Sequence, residues 1–112
     1  MNETPSTARA SALVFSGQPD PEWPLAPAQT AALETLWAGL AAGADPGPEP
    51  PALGYRGVWA RDGRSGEWRA FGCTVTRHDA RGAERRGDTE RKFERAVLAT
   101  APPGLLPHLP GD

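Results

Sequence analysis

The residues of this chain that could carry chemistry are few. The single cysteine, Cys73, lies five positions before His78, which adjoins Asp79. A thiol and an imidazole work as nucleophile and base only within hydrogen-bond reach of each other. Cys73 alternates with Phe71 and Val75 at the two-residue period of a strand, so it reads as a small buried thiol, and His78 reads as a turn residue. The other histidine, His108, lies thirty positions further on, near the end of the chain. No HxxxH or CxxC spacing is present, so the sequence predicts no metal site. It also has no phosphate loop and no dinucleotide fingerprint, and no cofactor is expected.

Three groupings suit binding better than catalysis. The first is Gly17–Trp23, GQPDPEW, where prolines at 19 and 21, followed by Pro24, stiffen an extended loop. Such a loop loses little entropy on binding. It should present Gln18, Asp20 and Glu22 outward and turn Trp23 inward as its anchor. The second places Tyr55, Trp59 and Trp68 among Arg56, Arg61, Arg64 and Arg69. If these share an uncovered sheet face, they suit a ligand ring, a base or a partner's surface. If not, the aromatics build the core and the arginines reach outward past them. The third is the basic run Arg77, Arg81, Arg85, Arg86, Arg91, Lys92 and Arg95. Five acids are mixed into it, which makes it an ordinary ion-paired surface.

The elements that must position these groups follow from periodicity. Leu13, Val14 and Phe15 give a short strand within 11–16. Leu33, Leu36, Trp37 and Leu40 form one apolar stripe, which predicts a helix over 28–42 with Pro27 at its start. A proline-rich linker, 43–52, follows. Residues 53–61 and 67–77 read as two strands joined by the turn-rich DGRSG. Residues 83–86 read as a short charged edge strand. Phe93, Ala96, Val97 and Thr100 mark a second helix, 89–100, with Asp88 placed to cap it.

Size and charge bound the rest. At 112 residues the chain fits one domain that can bury a core. Thirteen glycines and thirteen prolines are clustered enough to leave periodic stretches between them. Residues 1–10 are expected as a disordered tail, 11–104 as one domain, and 105–112 as an extended C-terminal tail. The net charge is −2, with about −5 in residues 1–50 and about +3 in 51–112. That balance argues against nucleic acid as a partner. A single cysteine, a polar N-terminus and the absence of a long apolar run point to a cytoplasmic protein without a membrane span.

The run SGQPDPEWPL at 16–25, followed by an apolar helix and then LGYRG at 53–57, resembles an element of a group of small uncharacterised bacterial proteins. These carry S-G-x-P-(D/N)-P-x-W, with arginine expected where this chain has Gln18. The resemblance covers two short stretches and implies no particular chemistry.

The expectation is an α+β two-layer sandwich: a small antiparallel sheet of three or four strands with two helices on one face. Its function is expected to be non-enzymatic binding of a protein or peptide, with a homodimer through the sheet edge as one form. The contact residues would be Gln18, Asp20, Glu22, Trp23, Tyr55, Arg56 and Arg69. Two alternatives remain open. One is a small enzyme or ligand-binding protein with a pocket between the 17–24 loop and the sheet, using Asp20, Glu22 or His78 as acid or base and Arg56 or Arg69 for an anion. The other is single-stranded nucleic-acid binding through the aromatic–arginine strands.

Overall fold

The computed structural model describes residues 8–14, 20–43, 55–63 and 66–105. Gln18, Leu53, Gly54, Arg64 and His108 lie outside the described residues. In chain order the elements are β1 (Arg9–Ala12), β2 (Glu22–Pro24), α1 (Pro27–Ala38), β3 (Ala41–Ala42), β4 (Val58–Arg61), β5 (Glu67–Phe71), β6 (Thr74–Asp79), β7 (Gly82–Gly87), a 3-10 turn (Thr89–Arg91) and α2 (Lys92–Ala99). The strands form one antiparallel sheet of seven, in the order β2-β1-β4-β5-β6-β7-β3. No helix among the described residues is long and apolar enough to cross a membrane.

The chain is α+β, but a sheet of seven strands replaces the expected three or four. Three local features account for the difference. The proline segment is not only a loop: Glu22–Pro24 pairs with β1 at the sheet margin. Pro24 lacks an N–H, so a margin is where this strand can sit. Next, α1 stops at Ala38, and Ala41–Ala42 pair with Gly87 and Arg86 of β7. The stretch 83–86, expected at the edge, is therefore flanked on both sides. Last, the expected strand 67–77 is two strands. Gly72 (φ 60°) and Cys73 (φ 67°) form a tight turn, and Phe71 faces Thr74 across it. Positive φ at both central residues is the mark of a type I′ hairpin.

That turn corrects the reading of Cys73, which is exposed at its tip rather than buried in the core. It also splits the face assigned to Phe71 and Val75. Val75 pairs with Ala70 and is fully buried, whereas Phe71 stands on the opposite side of the sheet. At the N-terminal end, the first strand begins at Arg9, inside the stretch expected as a tail.

The register sorts every side chain onto one of two faces. Trp23, Ala10, Ala60, Trp68 and Arg77 stand in one row, with Ala12, Val58, Ala70, Val75 and Arg86 in the next. Both helices pack on this side, through Leu33 and Trp37 of α1 and Phe93 and Val97 of α2. The alanines on the strands let the helices approach, and the indoles of Trp23, Trp37 and Trp68 supply volume that the buried leucines, Leu25 and Leu33, do not. The Trp68 and Phe93 rings meet at 5.5 Å. Gly57, at φ 102°, marks a close approach: a Cβ there would lie 2.5 Å from the Ala70 carbonyl oxygen.

Candidate functional site

The opposite face of the sheet carries no helix among the described residues. One row across it reads Arg9, Arg61, Glu67, His78, Ala83, and the next Ser11, Trp59, Arg69, Thr76, Arg85, with Glu22 of β2 beside Ser11. The face is built around Glu67. Arg61 Nε donates to Glu67 Oε1 at 2.9 Å, and Arg69 Nε donates to Glu67 Oε2 at 2.7 Å. Burial works to raise the Glu67 carboxyl, but the hydrogen bonds and charges of Arg69 and Arg61 outweigh it, and the carboxyl is held below its ordinary value. Glu67 therefore stays ionised and keeps both guanidiniums in place.

Arg61 also lies 4.3 Å over the Trp59 ring, an attractive stacking that leaves the indole only 8% exposed. The side chains of Arg61 and Arg69 remain 54% and 60% exposed. Only Nε of each bonds to Glu67, and the terminal nitrogens bond to none of the described residues. Arg9 repeats the pattern at 3.3 Å from Glu22. Arg85 makes no ion pair among the described residues.

The residues singled out from the sequence are not gathered at one place. Arg69 and Glu22 stand on the open face, on β5 and β2. Trp23 is turned inward, 1% exposed, and its Nε1 donates to Thr100 Oγ1 at 2.8 Å, which ties β2 to the end of α2. Asp20 does not point into solvent: it is half-buried, accepts from the Val14 backbone N–H at 2.8 Å, and pairs with Arg56 at 3.5 Å. Arg56 in turn donates its backbone N–H to the Leu13 carbonyl at 2.7 Å. Two expected contact residues thus pin the end of β1 to the approach to β4.

Tyr55 belongs to a separate network at the start of α2. Its hydroxyl donates to Glu94 Oε2, which also accepts from Arg91 at 3.0 Å. Burial, and then the Glu94 carboxylate, push the Tyr55 hydroxyl well above its ordinary value. The Glu94 hydrogen bond, opposed by burial, raises Arg91. Asp88, 1% exposed, accepts from the N–H groups of Phe93 (2.7 Å) and Glu94 (3.0 Å) and so caps α2. Glu90 and Arg91 both lie at φ 58°, a left-handed pair that costs about 1–3 kcal/mol per residue. The Asp88 cap and the Arg91–Glu94 pair hold that strain. This cluster locks the helix: Tyr55 and Arg91 both bond to Glu94 Oε2, and Oε1 is buried without a hydrogen-bond partner.

The chemistry-bearing groups do not converge. Cys73 and His78 are separated by the length of β6, roughly 16 Å at ~3.3 Å per residue. Glu22 on β2 and His78 on β6 are four strand spacings apart, roughly 19 Å at ~4.8 Å each. Among the described residues no group of three metal-ligating side chains forms. No protein-family model, no curated protein and no solved structure matches the chain.

Sequence reasoning named Arg61 and Trp59 in passing and missed Glu67. The signal was Arg61 and Glu67 flanking DGRSG. With the five-residue loop closed by Asp62 and Gly66, Arg61 pairs with Glu67. Until that register is known, neither can be assigned a face.

Proposed function

We propose that this protein is a small non-enzymatic module that binds a protein or peptide partner on the open face of its sheet, across β4, β5 and β6. The observation that carries this reading is the Arg61–Glu67–Arg69 group: two arginines held in place by one carboxylate and each more than half exposed. Held side chains have already lost much of the rotamer freedom that binding would cost. The buried Trp59 ring under Arg61 gives a firm floor. Both sheet margins are short, and Pro24 sits on one of them, so the broad face is better suited to a partner than the edges.

The small-molecule reading draws less support, because Asp20, Glu22 and His78 lie on separated elements. Single-strand nucleic-acid binding draws less again. Trp68 lies in the core, Tyr55 is tied to Glu94, and Trp59 lies under Arg61, so among the described residues half-buried Phe71 stands alone and no row of aromatic faces is presented for bases.

A photo-crosslinking residue placed at Thr76, in the middle of the open face, tests the proposal against the same residue at Ala31 on the exposed side of α1. Adducts from Thr76 that compete with unlabelled protein, and none from Ala31, are expected. Adducts from Ala31 alone, or from neither position in the protein's own cell extract, would overturn it.

A further inference from the structure

We infer that the partner presents an extended acidic segment, with carboxylates at alternate positions, to Arg61 and Arg69. This rests on the binding reading above and deepens it. The first argument is charge. The open face carries Arg9, Arg61, Arg69 and Arg85 against Glu22 and Glu67, in a chain whose net charge is −2. A local excess of arginine in an acidic protein selects a local acidic partner and discourages general polyanion binding.

The second argument is geometry. Arg61 stands opposite Glu67, and Arg69 is two residues beyond Glu67 on the same face, so the two arginines are diagonal neighbours on adjacent strands. Diagonal neighbours on an antiparallel pair lie about 7–8 Å apart. Side chains at i and i+2 of an extended peptide lie about 7 Å apart on one side of it. A segment of the form Glu-x-Glu therefore offers two carboxylates at about the spacing of the two positions from which the arginines rise.

The third argument is the mode of holding. Each arginine spends only Nε on Glu67. The two terminal nitrogens of each stay available for the paired N–H···O bonds that a planar guanidinium makes to a carboxylate. Nucleic acid offers charges of the same sign, but Glu67 and Glu22 interrupt the track a phosphate chain would follow, and among the described residues the aromatics of this face are Trp59, under Arg61, and a single half-buried Phe71.

The test is fluorescence anisotropy on the full chain at low ionic strength. The probes are a labelled alternating Glu-Ser decapeptide, its Gln-Ser twin and an oligothymidylate of the same length. The Glu-Ser peptide is expected to bind, and the Gln-Ser peptide about tenfold more weakly or not at all. The double variant Arg61→Gln/Arg69→Gln should lose about tenfold in affinity. Lys92→Gln/Arg95→Gln on α2, which removes the same charge from the helical side, should change it less than about twofold. Circular dichroism checks each fold, and Arg69→Gln alone, at the more exposed position, replaces the double variant if that fails to fold. Equal binding of both peptides, or an equal loss from both double variants, would overturn the inference, and tighter binding of the oligothymidylate would give the face to nucleic acid. If the Thr76 adduct forms but resists salt and the Arg61/Arg69 change, the binding reading stands and the acidic-segment inference falls.

Discussion

Both faces of the sheet set an arginine over an indole, and they use the pair in opposite ways. On the helical face Arg77 lies 4.6 Å over Trp68 and Arg86 lies 4.4 Å over Trp37. On the open face Arg61 lies 4.3 Å over Trp59. The distances are nearly the same, yet the Arg77 and Arg86 side chains are 19% and 20% exposed and that of Arg61 is 54%. Arg77 also pairs with Asp62 at 3.0 Å, and Arg86 donates to the Trp37 carbonyl at 2.8 Å. These two are lids on the core, shut in against the protein, although Arg77 Nη1 makes no hydrogen bond there. Arg61 is held at one nitrogen and offers the others outward. The same stacked pair is shut in where a helix closes over it and left accessible where none of the described residues does.

The largest test of that contrast is truncation of the indoles. Trp68→Ala should cost about 3–5 kcal/mol, because it empties the centre of the core beneath Phe93. Trp59→Ala, which removes a ring packed outside the main core cluster, should cost about 1–2 kcal/mol. Urea denaturation gives both values, and a reversal of their order would break the comparison. The arginines give the next step. Arg77→Leu removes the 3.0 Å ion pair to half-buried Asp62 and the guanidinium over Trp68, and should cost about 2–3 kcal/mol. Arg69→Leu, at an exposed pair, should stay within about 0.5 kcal/mol in stability while weakening the acidic-peptide interaction.

The smallest effects come from pH and sharpen the same contrast. Tyr55 is the only tyrosine, so tyrosinate absorbance reads it alone. Its folded-state pKa is raised, chiefly by burial and then by Glu94. It therefore contributes stability below about pH 10, which is lost as pH rises above that value. The native protein should show little tyrosinate absorbance at pH 11, the unfolded chain should show it fully, and Tyr55→Phe should flatten the alkaline limb of stability. Glu67 has the opposite sign. Its lowered pKa gives stability that is present above about pH 4 and lost as pH falls below it. Denaturation midpoints of the wild type and Glu67→Gln should therefore converge in acid. An absorbance rise near pH 10 in the folded protein would remove the Tyr55–Glu94 lock.

Much of the covered face was legible in advance. The stripes Leu33–Trp37 and Phe93–Val97 located both helices because the 3.6-residue period survives any tertiary arrangement. Trp23 was legible as an anchor because a large indole between prolines has little use outside a core. The open face was not legible. Gly72-Cys73 lacks the Asn-Gly signature of a two-residue hairpin, and the alternation runs on through it, which sets Phe71 and Val75 on one face although the turn separates them. A strand as short as Glu22–Pro24 has too few residues to show a period, and Ala41–Ala42 has none. Asp20 and Arg56 read as exposed contact residues, and their pairing across 36 positions has no local sign.

The sequence by itself determined the α+β class, the two helices and the aromatic content of the core. These depend on period and volume, which the chain carries locally. The tertiary structure alone decided the seven strands, the face on which each arginine stands, and the convergence of Arg61 and Arg69 on Glu67. Those depend on register, where a shift of one residue moves every side chain to the other side of the sheet.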